Sequence, residues 1–141
     1  MDKAAQRAGQ FPLSRDHHGS LILARLLQKD APAYKDLPDT IEGKRDYAIE
    51  LFDKDIRPHF EKEEKLYNAI LHYPELHEPL RKILQEHKEL ILLFAGLKQR
   101  VSSEDLHHAG ALLEKHIRFE ERELFPLMEK VCTEEELLQW S

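Results

Sequence analysis

His116-Ile117-Arg118-Phe119-Glu120 stands inside a helical series, Leu106, Ala109 and Leu113, then Leu124, Leu127 and Val131, that is otherwise apolar. Positions i and i+4 share one face of an α-helix, so this string aims an imidazole and a carboxylate at the same interior point. His59-Phe60-Glu61-Lys62-Glu63 repeats the arrangement within a second series, Phe52, Ile56, Leu66 and Ile70. Burying such groups without partners costs on the order of several kcal/mol, comparable with the net stability of a small domain. The helical period decides the fold, and its polar interruptions decide what the core holds.

The same period runs through the chain, and no segment alternates as a half-buried strand would. A first helix is expected from about Ser14 to Asp30, with Leu21, Ile22, Leu23, Leu26 and Leu27 inward. A second opens at Asp39-Thr40-Ile41-Glu42, where Asp39 is placed to cap and Glu42 to reach back. Pro58 lies inside it and predicts a kink just ahead of His59. The third helix is expected from about Glu78 to Val101, carrying Leu80, Ile83, Leu84, His87, Leu90, Ile91, Phe94 and Leu97 on one face. Ser102 or Ser103 caps the fourth, with a second bend at Pro126, and Thr133 to Glu136 forms a capping box for a short helix through Trp140. Four such helices with short connections predict an all-α, antiparallel up-down four-helix bundle over residues 13–141, preceded by an N-terminal arm, residues 1–12.

Composition narrows the functional classes. A chain of 141 residues suits one domain, and 34% charged with 41% hydrophobic residues suits a soluble helical protein. The net charge of -6 provides no electrostatic footprint for nucleic acid or an anionic membrane. Neither a membrane-length apolar run nor an export leader is apparent. Cys132 is the single cysteine, which fits a reducing cytoplasm and a role as a small buried hydrophobe.

His87 also falls in an apolar stripe, between Leu84 and Leu90. On the first helix the mean direction of the leucine and isoleucine stripe lies nearer His18 than His17, so His18 is the preferred inward histidine, with His17 as the alternative. Counting about 1.5 Å per residue from the shared end of an up-down bundle puts His18 roughly 6 Å in, His87 about 14 Å, His59 about 18 Å and His116 about 21 Å. These levels are compatible with one site. Four imidazoles and two carboxylates without a thiolate suit non-haem iron or manganese rather than an iron–sulfur cluster or a thiolate zinc site. Six protein ligands exceed what one open ion takes. Two ions, each with two histidines and both bridged by Glu63 and Glu120, account for the set, completed by an oxo or hydroxo bridge. A ferritin-like site would show Glu-x-x-His and more carboxylates, the reverse of this pattern.

At these residues the chain resembles the hemerythrin-like (HHE cation-binding) domains, from Arg15-Asp16-His17-His18 through His59-x-x-x-Glu63 and Glu86-His87 to His116-x-x-x-Glu120. Leu66-Tyr67 and Leu124-Phe125-Pro126 fit the same pattern. The resemblance implies a centre of two non-haem iron ions, with His18, His59, Glu63, His87, His116 and Glu120 as ligands. Oxygen-carrying members place two histidines one turn apart on the third helix, where this chain has Ile83 and Ile91 around His87. It is more similar to four-histidine variants such as the di-iron proteins of iron–sulfur cluster repair, without their cysteine-bearing N-terminal segment. That comparison favours a site that binds, senses or scavenges oxygen, peroxide or nitric oxide over dedicated oxygen transport, and leaves turnover open. The competing expectation is an iron- or redox-responsive regulatory module whose metal is chiefly structural.

Other polar residues have plainer readings. His72, His77, His107 and His108 are expected near solvent, and Glu64 and Glu121 either solvated or beside the ligands rather than among them. Tyr47, Tyr67 and Arg122 could orient ligands or bound oxygen species, with packing and surface roles as the default, and Glu134, Glu135 and Glu136 read as helix-start charge.

Overall fold

The computed structural model describes residues 17–138. The expected arm of residues 1–12, the expected helix start at Ser14, and Trp140 lie outside the described residues. Within them the chain is all-helical, with four long helical segments and a short one, and no strand among the described residues. Helix α1 spans His17–Leu26. Helix α2 (Ile41–Leu51) continues through a π-helical turn, Phe52–Ile56, into α3 (Arg57–Ile70). A 3₁₀ turn at Pro74–Leu76 leads into α4 (His77–Gly96). Helix α5 (Ser103–Phe119) continues through a second π-helical turn, Glu120–Leu124, into α6 (Phe125–Val131), and α7 spans Glu134–Leu138.

Local chemistry sets these boundaries. The cap of α2 is Thr40 rather than Asp39: the Gly43 amide donates to Thr40 Oγ1 at 3.0 Å. Ser102 caps α5, its hydroxyl accepting from the Asp105 amide at 3.1 Å. Thr133 and Glu136 form the expected reciprocal box, with amide-to-side-chain bonds of 3.1 Å and 2.8 Å. The two prolines do not kink their helices freely. Each lacks an amide donor, and its ring crowds the carbonyl four residues back. A π turn relieves both problems by widening the helix by one residue. The Arg57 amide accordingly bonds the Phe52 carbonyl, and the Phe125 amide bonds the Glu120 carbonyl, one residue before Pro58 and Pro126 respectively.

Helix α1 packs on α5, α5 on α4, α4 on α3, and α2 on both α4 and α5. The buried apolar residues divide into two layers. One contains Leu23, Leu27, Phe52, Phe60, Leu90, Phe94, Leu113 and Ile117. The other contains Leu66, Tyr67, Ile70, Leu80, Ile83, Leu124, Phe125 and Met128. Along each helix that spans both layers, the polar residues fall at the crossing: Glu63 between Phe60 and Leu66, His87 between Ile83 and Leu90, and Glu120 between Ile117 and Leu124.

The contact of α1 with α5 depends on Gly110. A Cβ there would lie 2.5 Å from the Ala24 carbonyl oxygen and 2.8 Å from Leu27 Cβ, and backbone cannot yield cheaply. At Gly96 a Cβ would meet nothing within 4 Å. Gly110→Ala is expected to lower unfolding stability by about 1–3 kcal/mol. Gly96→Ala is expected to be neutral or stabilising by up to about 1 kcal/mol, both read by urea denaturation.

Candidate metal centre

Five of the six residues expected at the site come together: His59, Glu63, His87, His116 and Glu120. The sixth position is filled differently. His18, the preferred inward histidine on sequence, is exposed, whereas His17 is buried and takes its place. The reason lies in which residues of α1 are covered. Leu21 and Ile22 are only half-buried, while Ala24, absent from the expected stripe, is fully buried beside Leu23, Leu26 and Leu27. At about 100° per residue that change turns the inward direction away from His18 and towards His17.

The glutamates divide their oxygens between the histidines. Glu63 Oε2 lies 3.4 Å from His59 Nε2 and 4.0 Å from His17 Nε2, while Oε1 lies 3.2 Å from His87 Nε2. Glu120 Oε1 lies 3.3 Å from His17 Nε2 and 3.2 Å from His116 Nε2. Two groups thus have ligand atoms mutually within 4.8 Å: His17, His59 and Glu63, and Glu63, His87 and His116. They share Glu63. The second group is wholly buried, and Glu120 beside it is 0% exposed.

The outward nitrogens of three rings are held by carboxylates. His17 Nδ1 donates to Glu121 Oε1 at 2.8 Å, His87 Nδ1 to Glu64 Oε2 at 2.8 Å, and His116 Nδ1 to Glu86 Oε1 at 2.9 Å. Lys82 donates to the other Glu86 oxygen at 2.6 Å. Each acid sits next in sequence to a core ligand, yet braces a histidine on a different helix. Such contacts fix the tautomer that leaves Nε2 facing inward, and they raise its basicity. Glu64 and Glu121 occupy the neighbouring role read from sequence; Glu86 was not anticipated. A signal for it exists, since Ile83, Glu86, His87, Leu90 and Phe94 form one i, i+3, i+4 face.

Tyr67 does more than pack. Its fully buried hydroxyl donates to Glu63 Oε2 at 3.1 Å and also to Glu120 Oε2. Burial and the two adjacent carboxylates push the phenol well above its ordinary range, so it remains a proton donor. Phe60 stacks on His87 with centroids 4.0 Å apart, and Phe125 stacks on His17 at 5.7 Å. Of the remaining histidines, His72 and His108 are exposed, and His107 accepts from the Lys29 amide at 3.1 Å, away from the cluster. Tyr47 packs on the first apolar layer, and Arg122 is exposed. Burial raises the Cys132 thiol to about 11, consistent with an inert buried sulfur.

The donor set fits metal ions better than it fits itself. Glu63 Oε1, His87 Nε2, His116 Nε2 and Glu120 Oε1 are buried without a hydrogen-bond partner, despite separations near 3.2 Å. Convergent buried donors without aligned bonds to one another are the arrangement that suits a shared cation. Protons offset part of the charge in the metal-free protein. Burial alone would depress His17, but the carboxylates of Glu120 and Glu121 raise it to about 10. Burial likewise opposes ionisation of His116, yet the charge of Glu120 and the contact with Glu86 raise it to about 9. The Glu120 carboxyl is held well below its usual range against burial, chiefly by the charge of His116.

The sign of the linkage follows. Both imidazoles bind protons more tightly in the folded chain than in the unfolded one. Their contribution to metal-free stability is full below about 6.5 and is lost as pH rises through about 9 to 10. A metal must displace those same protons, so its affinity rises with pH over that window. Calorimetric titration of metal-free protein with zinc at pH 7, repeated in buffers of different ionisation enthalpy, is expected to show release of about two protons per chain.

The profile of the hemerythrin HHE cation-binding domain matches residues 12–128. No curated protein and no solved structure matches the chain. The matched segment covers most of the sequence and includes every residue of the buried histidine–glutamate cluster. The chain belongs to the hemerythrin HHE cation-binding domain family.

Proposed function

We propose that this protein holds two non-haem iron ions through His17, His59, Glu63, His87, His116 and Glu120, joined by an oxo or hydroxo bridge, and uses them to bind, sense or scavenge a small ligand such as oxygen, peroxide or nitric oxide. The observation that carries the reading is the pair of overlapping ligand groups that share Glu63, each contributing two histidines. Two pairs of borderline imidazole donors around shared hard carboxylates suit iron, which the family affiliation also favours. The layer order supports an antiparallel up-down bundle as the scaffold: α3 and α5 enter the site from the first apolar layer, whereas α4 enters it from the second.

An iron pair, when bound, supplies redox change and a coordination position for a small molecule. The chain supplies the rest. Glu64, Glu86 and Glu121 hold three imidazoles in a fixed tautomer, so the inward nitrogens are presented without a rotameric search. Phe60 and Phe125 cover two of the rings and limit water. Tyr67 keeps a hydroxyl proton at the oxygens of Glu63 and Glu120, the one neutral donor described at the heart of the cluster. A buried donor there can hydrogen-bond a polar ligand that displaces it from the carboxylates.

The test is elemental analysis of anaerobically purified protein together with optical spectra before and after nitric oxide or oxygen. About two irons per chain are expected, falling sharply in His17→Ala and Glu120→Ala and unchanged in His18→Ala. Zinc at full stoichiometry would keep the site and remove the ligand chemistry. Loss of helicity on chelation, without any gas adduct, would replace this reading with the regulatory one.

A further inference from the structure

An open cavity of about 450 Å³ lies against the centre, lined by Ser20, Lys54, Asp55, Pro58, His59 and Lys62. Five of these residues come from the stretch joining the first π turn to α3, and Ser20 faces them from α1. His59 is the only residue of the ligand set in the wall. It is also the least covered of the four histidines, its side chain 9% exposed against 1% for His87 and His116. Lys54 and Lys62 stand two helical turns apart at the cavity, both exposed. Neither makes an ion pair with a described residue. Asp55 is the single carboxylate in the lining, so the cavity is net positive within a chain of net charge -6.

Two ammonium groups without an ion pair among the described residues thus stand at an opening beside a ligand residue. From the geometry we infer that this cavity is an entry port for small anions, in which Lys54 and Lys62 draw the anion towards the centre past His59. The inference rests on the functional reading above and adds a ligand class to it. Fixed positive charge at the cavity raises the local concentration of anions and their rate of arrival, and does little for a neutral diatomic. The effect is screened by salt over a Debye length of about 10 Å at 0.1 M.

The test compares association rates of azide with oxidised, iron-loaded protein and of nitric oxide with the reduced form, by stopped flow. At low ionic strength the Lys54→Gln/Lys62→Gln double variant is expected to bind azide about tenfold more slowly, with a flattened salt dependence. Its rate with nitric oxide should be unchanged. Asp55→Asn, which removes the opposing charge, is expected to speed azide binding while leaving nitric oxide alone. Equal azide rates in all three proteins, or azide and nitric oxide rates falling together, would overturn the port and leave the functional reading standing. Absence of any adduct with either ligand in fully loaded wild-type protein would overturn both.

Discussion

The structure depends on one constraint: four imidazoles and two carboxylates are gathered, almost wholly buried, at the plane where two apolar layers meet. No hydrophobic term stabilises that plane. Above and below it, phenylalanine, leucine and isoleucine side chains supply the usual burial energy. At the plane itself, each polar atom must be answered by another polar group or charge, and Glu63 Oε1, His87 Nε2, His116 Nε2 and Glu120 Oε1 are answered by no hydrogen bond. The helices are therefore placed by the layers, while the centre between them is built for a cation.

The outer carboxylates explain how such a centre stays ordered. Because Glu64, Glu86 and Glu121 each reach a histidine on another helix, three of the inter-helix junctions carry a charge-assisted bond besides apolar contact. Movement of one helix along its axis would break a bond at the rim as well as alter the centre. Ligand geometry and helix register are thus the same variable. Lys82 extends this arrangement to the surface on one side only, through Glu86.

Much of this was legible in the sequence, because it followed from period. The apolar spacing located the four long helices, and the polar residues that broke it, His59, Glu63, His87, His116 and Glu120, were the ones brought together. Thr133 and Glu136 were readable because a capping box is local. What failed was direction on a short, diffuse helix. Counting Leu21 and Ile22 as fully inward and passing over Ala24 was enough to select His18 instead of His17. Glu86 was hidden for a different reason: a glutamate beside a buried histidine looks solvated until the neighbouring helix is known. For Tyr67 the sequence left two roles open, since a ring packs like any aromatic and only a tertiary structure locates its hydroxyl.

The second π turn has a consequence for how this site tolerates change in chain length. Such a turn is an α-helix carrying one surplus residue, and here the surplus lies between Glu120 and Pro126. Excising one residue from it would restore ordinary winding with both flanks in phase, whereas winding all of its residues as an uninterrupted α-helix would swing everything on its far side by about 100°. Either Glu120 would leave the centre or Phe125 would leave the second layer. The irregularity is therefore a register device, letting one continuous helix obey two incompatible phases, that of the ligands before the proline and that of the packing after it.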